Sequence, residues 1–461
     1  MRTHADYDYD CDVLVIGGGI VGLSTAYALT RAAPGTRVTV LEEAHDPAEH
    51  LAGPGGGLIH SGVHHRRSSL TARFAARGGG EMTEFCARHG IAHTVAGKLI
   101  VATDRSELPR LHALAQRGRE HGLPVRELGP AQIAEYEPGV RGQAAIRVST
   151  TGVCDAAGVL AALAGEVVAA GSVVRCAARV TAVDRRPWGV AARTADGTVV
   201  RARALVNAAG PGSDRVARLA GDEPGVRVVP VRDTYVELRR PELVRGVVHP
   251  VPHPGHPFLG AQLVRGIVRS VDGTVHVGPV GATAPGRPVP PVHPGGLLSA
   301  LTRPASWRTA RRPEGYARDG ARLVGAGAVL SAERTDVSGR TDRDGRPWQA
   351  GRSGRDVRDV RSDSTGAVVT AALRRLLPDV TEEDLGPART TVRAQAVHGD
   401  GTPVEDFLIR EAPHTVHVLH APADAALATA LPVGREIARR VLAPAQGAGW
   451  RPPAVESGHC V

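Results

Sequence analysis

Cysteine is scarce and poorly placed for metal or redox work. The five cysteines, Cys11, Cys86, Cys154, Cys176 and Cys460, include no pair at CxxC spacing, and their number is odd. They read as reduced, mostly buried thiols without a catalytic role, and no metal site is expected. Long apolar runs are missing as well. No stretch approaches the roughly 20 residues that a membrane-spanning helix needs. The first residues, "MRTHADYDYDCD", are polar and carry acids, without the apolar core of a secretory leader. The expected compartment is the cytoplasm. Aromatic residues make up only 3% of the chain. That is too few to alternate with arginines as a single-strand nucleic-acid surface requires, so no nucleic-acid partner is expected.

What is present is a large globular enzyme's composition. The chain has 461 residues, 42% of them hydrophobic, which implies two intergrown domains or one large domain with a satellite. The formal charge is +9, and 14 arginines against 8 acids between Arg303 and Arg361 supply +6 of it. This part includes "RTDRDGRPWQAGRSGRDVRDVRSDS", too polar to bury much surface, and reads as a flexible insertion over about 281–361. A weak peripheral contact with an anionic membrane surface stays open.

The most informative stretch is "CDVLVIGGGIVGLSTAYALTRAAPGTRVTVLEEA", from Cys11 to Ala44. Asp12 to Ile16 has the continuous apolar character of a buried parallel strand. Gly17, Gly19 and Gly22 follow as GxGxxG. The first permits a tight turn, the second lets backbone approach a pyrophosphate, and the third lets a helix pack close to the strand. A helix from about Val21 to Ala32 would point its first N–H groups at phosphates. "TRVTVLE" is a second strand, and Glu42 stands at its end, 20 residues after Gly22. An acid there accepts hydrogen bonds from ribose hydroxyls. The motif alone leaves NAD and FAD both open.

A second stretch, Arg179 to Gly210, points toward FAD. It reads as three strands with a hairpin turn at Asp196-Gly197, ending in the small residues of "ALVNAAG". A plain dehydrogenase domain would continue with alternating strands and helices. A meander at this point is common in two-domain flavoproteins.

Here the chain resembles a known family, the FAD-dependent L-2-hydroxyglutarate oxidases and dehydrogenases, within the D-amino-acid-oxidase-like flavoproteins. The resemblance runs from about Asp12 to Val441. It is carried by "VIGGGIVGLSTAYAL", "GLIHSGVHH", "GKLIVAT", "LVNAAG", "VRDTY", "HPFLGAQLVR", "VHVGP", "VRAQAV", "EDFLI" and "HAPADAALATALPVG", in that order. It implies an α/β fold: a Rossmann-like FAD-binding domain interleaved with a mixed-sheet substrate domain. The first would comprise 1–95, 145–225 and 388–450, and the second 96–144 and 226–387. FAD contacts are expected from Gly17, Gly19, Gly22, Glu42, Gly57, Val180, Gly210, Pro422 and Gly434.

Oxidising a 2-hydroxy acid removes a hydride from the α-carbon and a proton from the hydroxyl. The pocket then needs a base, cations for carboxylates, and little water. His60 in "GLIHSG" is the candidate base, and packing beside the flavin ring is the equal alternative. Arg393, with Gln395 on the same face of a strand, is the first candidate carboxylate clamp. Arg232 with Tyr235 is the second, and Gln262 belongs to the same pocket. Oxygen or a quinone would accept the electrons. Two other readings are an amine or amino-acid oxidase of the sarcosine-oxidase type and a flavin-binding protein without turnover.

The chain also departs from the family's usual pattern. "AGPGGG", Ala52 to Gly57, stands where a "TGHNSG" type run is usual. His64 and His65 replace paired tyrosines, Thr71 a lysine, Gln262 a histidine and Asp424 a proline. The expectation is an intact cofactor framework around an altered pocket.

Overall fold

The computed structural model describes residues 10–46, 57–252, 262–266, 274–279, 358–359 and 364–443. The arginine-rich insertion, most of "AGPGGG" and Cys460 therefore lie outside the described residues.

The apolar run Cys11–Ile16 is a strand, buried at every residue. It pairs in parallel with Val38–Leu41 on one side and Val199–Asn207 on the other. Val173–Arg175 extends the sheet beyond Val38–Leu41. Along its first half Val199–Asn207 also pairs with the meander strand Gly189–Thr194, which leads to Val180–Arg186. Along its second half it takes the parallel strand Thr415–His420, itself paired with Leu408–Ala412. The three expected meander strands are all present, and Gly197 has the positive φ (88°) of the hairpin turn. Parallel strands in this sheet are covered by helices, so their sequences are apolar without alternation. The main cluster beneath them joins Val13 and Val15 to Leu23, Phe85, Leu163 and Val433.

A second, nine-stranded sheet begins at Lys98–Ala102 and includes Val247–Pro250, Gln262–Arg265, Val275–Gly278, Arg227–Leu238 and Leu385–Val397. Strand Ala144–Val148 and the whole of Leu385–Val397 belong to it. Residues 145–148 and 388–397 thus join the sheet of the expected substrate domain, because pairing continues across both expected boundaries. Strand alternation gives this sheet two different faces. Leu99, Val101, Val236, Val248, Leu263 and Val277 face one side and pack with Val369 and Leu373 of the helix Ser364–Arg374. Lys98, His249, Gln262, Asp233, Tyr235, Arg393 and Gln395 alternate with them and face the other.

The described cysteines are free thiols; Cys11, Cys86 and Cys154 are buried and Cys176 is half-buried. No helix among the described residues is long and apolar enough to cross a membrane.

Candidate active site

The glycine motif has the geometry its spacing implies. Gly17 has φ +109°, and a Cβ there would lie 2.3 Å from the carbonyl oxygen of Ala208. At Gly22 a Cβ would lie 1.9 Å from the Gly17 carbonyl oxygen, so helix Ile20–Ala32 can start this close to the strand only without a side chain. Gly19 has open space where its Cβ would be, as backbone approach to a pyrophosphate requires. Buried Glu42 accepts hydrogen bonds from the amides of Gly18 (2.6 Å) and Ala44 (2.7 Å). These hold its carboxylate at the strand end, where remaining lone pairs suit ribose hydroxyls. The residues fit a dinucleotide with an adenosine half.

Other expected cofactor residues take more varied places. Gly210 has φ 51° with free space around its Cβ position. Pro422 is buried just before the turn that enters the final helix, Ala426–Leu442. Three others are closely packed. A Cβ at Gly57 would meet the Cys154 carbonyl oxygen at 2.4 Å, and one at Gly434 the Ser24 carbonyl oxygen at 2.4 Å. Val180 is a buried strand residue whose carbonyl accepts a hydrogen bond from Arg215.

His60 follows the short strand Leu58–Ile59 and is buried, 2% exposed. Its ring forms a triangle with those of His64 and His249, with centroid separations of 5.7, 5.8 and 5.9 Å. Lys98, 1% exposed, places Nζ 3.2 Å from His64 Nε2. Burial, then the Lys98 charge, holds all three histidines well below the usual imidazole value. Burial also brings the Lys98 ammonium down to about 7, with Asp424 acting in the opposite direction. Asp424 pairs with His65 at 3.3 Å. Desolvation raises its carboxyl, but the contact with His65 and the charges of His65, His60 and His64 outweigh this and hold it well below the usual range, although the residue keeps solvent exposure. One ring nitrogen from each of His60, His64 and His249 lies within 4.8 Å of the others. A divalent cation accepts that spacing, but the ammonium against His64 makes the cluster a poor host for one.

The second group gathers on Leu385–Val397 and Arg227–Leu238. Arg393 Nε donates to Asp233 at 2.8 Å, and its Nη1 donates to Gln395 Oε1 at 3.0 Å. Gln395 donates onward to the carbonyls of Ala396 and Val404. Burial pushes the Tyr235 hydroxyl up to about 12, helped by Asp233. Arg393 and Gln395 therefore share a face, as alternation requires, but the charge of Arg393 is already answered by Asp233. Asp233 is the acid within the quoted "VRDTY" that sequence reasoning passed over. Arg232 pairs by backbone with Val392, and its side chain lies outside the described residues. Gln262 is half-buried and pairs by backbone with Gly278. Thr71 is fully buried and donates its hydroxyl to Asp406 at 2.6 Å, while Asp406 also accepts the amides of Leu70 and Thr71. Position 71 thus anchors the start of helix Leu70–Arg88 to the "EDFLI" segment.

A glycine-lined dinucleotide cradle beside a pocket of neutral imidazoles defines a class: a nucleotide-cofactor oxidoreductase with a second, mixed-sheet layer. A family model described as FAD dependent oxidoreductase (DAO) matches residues 12–440. The chain belongs to this family of FAD-dependent oxidoreductases. Among its relatives, the L-2-hydroxyglutarate dehydrogenase of Salmonella houtenae is 32% identical over 434 residues, covering 94% of this chain and 93% of that protein. That of Escherichia coli K12 is 30% identical over 438 residues, 93% of each. The human mitochondrial L-2-hydroxyglutarate dehydrogenase is 30% identical over 437 residues, 90% of this chain and 85% of that protein. In fold, the chain is similar to L-alpha-glycerophosphate oxidase from Mycoplasma pneumoniae with FAD bound. The TM-score is 0.66 at 20% identity, covering 94% of each chain. Glycine oxidase from Geobacillus kaustophilus gives a TM-score of 0.62 at 18% identity, again covering 94% of each.

Proposed function

We propose that this enzyme oxidises a 2-hydroxy acid, L-2-hydroxyglutarate, to the 2-oxo acid. The observation that supports it most is His60, a buried, neutral imidazole in a chain aligned nearly end to end with L-2-hydroxyglutarate dehydrogenases. When bound, FAD supplies the acceptor for the α-carbon hydride. Gly17, Gly19, Gly22 and the first amides of Ile20–Ala32 would hold its pyrophosphate, and Glu42 its ribose. His60 takes the hydroxyl proton on a ring nitrogen; neutral in the free enzyme, it is ready to accept. Burial of this face excludes water from the cluster. Arg393, held by Asp233 and Gln395, is the proposed contact for the distal carboxylate, and Tyr235 is on the same face of the sheet. Oxygen or a quinone takes up the electrons afterwards. A quinone would bring the protein to a membrane surface as a peripheral contact.

The test is anaerobic flavin reduction followed at the visible absorbance, with L- and D-2-hydroxyglutarate, lactate and sarcosine. Bleaching by the L-dicarboxylate alone is expected. Bleaching by sarcosine instead would assign amine oxidation, and none at all would overturn turnover on this panel. His60→Ala should slow bleaching by about 10²–10⁴-fold; unchanged rates would remove His60 as the base. Peroxide release in air separates oxygen from quinone.

A further inference from the structure

Of 56 basic residues in this chain, one is lysine, and it is Lys98. It is buried (1% exposed), and among the described residues no carboxylate lies within ion-pair distance of it. His64 Nε2, at 3.2 Å, is its hydrogen-bonding neighbour. An ammonium taken out of water without a counter-charge is strongly unfavourable. The surrounding rings add to the imbalance. His60 Nδ1, His64 Nδ1 and His249 Nε2 are all buried without a hydrogen-bond partner. Strand pairing explains how they meet. Lys98 stands opposite Val247 in a parallel ladder, so His249, two residues on, shares its face of the sheet.

Cationic and donor groups with no acceptor fit an anion better than a metal ion. The carboxylate that acts on the cluster through space, Asp424, is itself paired with His65. Resting on the reading of the substrate as a 2-hydroxy acid, we propose that Lys98, His64 and His249 form the pocket for its α-carboxylate, beside His60. The hydroxyl and the carboxylate of such an acid are on adjacent carbons, so the carboxylate site must flank the base. The rings of His64 and His249 flank His60 at 5.7 and 5.8 Å. The arrangement also couples binding to chemistry. The Lys98 charge helps to depress the proton affinity of His60. A bound carboxylate offsets that charge and returns His60 toward the ordinary imidazole value. The base strengthens when the substrate is in place.

The groups facing Lys98 are His60, His64, His249 and Asp424. Above pH 6.5 the three histidines stay neutral and Asp424 stays ionised, so Lys98, which loses its proton near about 7, sets the charge of the pocket. Anion affinity should fall about tenfold per pH unit above that value.

Oxalate, an unreactive mimic of the α-carboxylate and its neighbouring oxygen, is titrated into FAD-loaded enzyme and followed by flavin difference spectra and calorimetry. Wild type should bind it with the stated pH dependence. Lys98→Met, which removes a buried charge at similar volume, should weaken it by about 30- to 1,000-fold at pH 6.5 with the flavin spectrum retained and the melting temperature not lowered. Equal affinity in K98M, or a flat wild-type profile from pH 6.5 to 8.5, overturns the proposal; the wild-type profile decides the matter if K98M fails to fold. One tightly bound Zn²⁺, lost in His64→Gln/His249→Gln, would assign the cluster to a metal and overturn it too. Lys98-dependent oxalate binding without bleaching by L-2-hydroxyglutarate would support the carboxylate pocket and overturn only the substrate.

Discussion

Arg393 and Asp233 show how far a residue type by itself leads. An arginine in a strand near a flavin suggests a free clamp, yet here its Nε is fixed by a carboxylate 7% exposed. Burial raises the Asp233 carboxyl and the Arg393 charge lowers it, burial dominating. Arg393→Ala should therefore do more than weaken substrate binding. It leaves a buried carboxylate unanswered, costing about 2–3 kcal/mol of stability. Arg393→Ala/Asp233→Asn should regain most of that stability but not the activity. Urea unfolding of the single and double variants checks this; equal stabilities would mean the pair contributes nothing to the fold. The other legible residues fared unevenly for a common reason. GxGxxG, Glu42 and His60 are marked by position within a local unit, and local units are written in the chain. Lys98, His249 and Asp233 come from three strands of one sheet, and only pairing shows that they share a face. The departures at 64, 65 and 424 look like losses one at a time. In the folded chain His65 answers Asp424 and His64 joins Lys98, so each replacement has a polar partner. Thr71 likewise donates to Asp406, which accepts the first amides of its helix.

At the scale of elements, glycines set the distances between helices. "GGG" at 78–80 lies in the middle of helix Leu70–Arg88, where propensity alone would discourage a helix. Packing overrides propensity. A Cβ at Gly78 would fall 1.8 Å from the Ala428 carbonyl oxygen and 2.9 Å from Pro432 Cγ of the final helix. Gly434, on that same helix, meets Ser24 of Ile20–Ala32. The final helix is thus notched against two others, and the turn bearing Asp424 is fixed at its start. Gly78→Ala should cost about 1–3 kcal/mol through overpacking, despite a helix-propensity gain of about 1 kcal/mol. Gly80→Ala, at an exposed site with nothing within 4 Å of its Cβ, should stabilise by about 0.5–1 kcal/mol. Urea midpoints with unchanged slopes would report both. Two variants of the same sign would refute the packing account.

Taken as a whole, the molecule stores much of its pH sensitivity in a few desolvated histidines. His60, His64, His249 and His420 are all shifted downward, first by burial, and His420 reaches about 4. In the unfolded chain each would take up a proton near pH 6.5. The unfolded state therefore binds more protons below that pH, and stability falls as the medium acidifies. Each such histidine contributes a slope of up to about 1.4 kcal/mol per pH unit between 6.5 and its folded value. The depressed carboxylates Asp424, Asp222 and Asp406 lose their contribution only below about pH 4, outside this window. Lys98 acts on the alkaline side with the same sign. Its folded value near 7 lies below the unfolded value of about 10.4, so stability should climb between those limits as the unfolded chain alone keeps the proton. Stability by urea unfolding should therefore rise from pH 5 to 6.5 and again from pH 7.5 to 9.5. His420→Gln should flatten the acid limb by about 1.4 kcal/mol per unit, and Lys98→Met should remove a comparable slope from the alkaline limb. An alkaline limb unchanged in K98M would mean that the lysine is not held out of water, and with it would go the reason this one amine, among so many guanidinium groups, sits beside the three imidazoles.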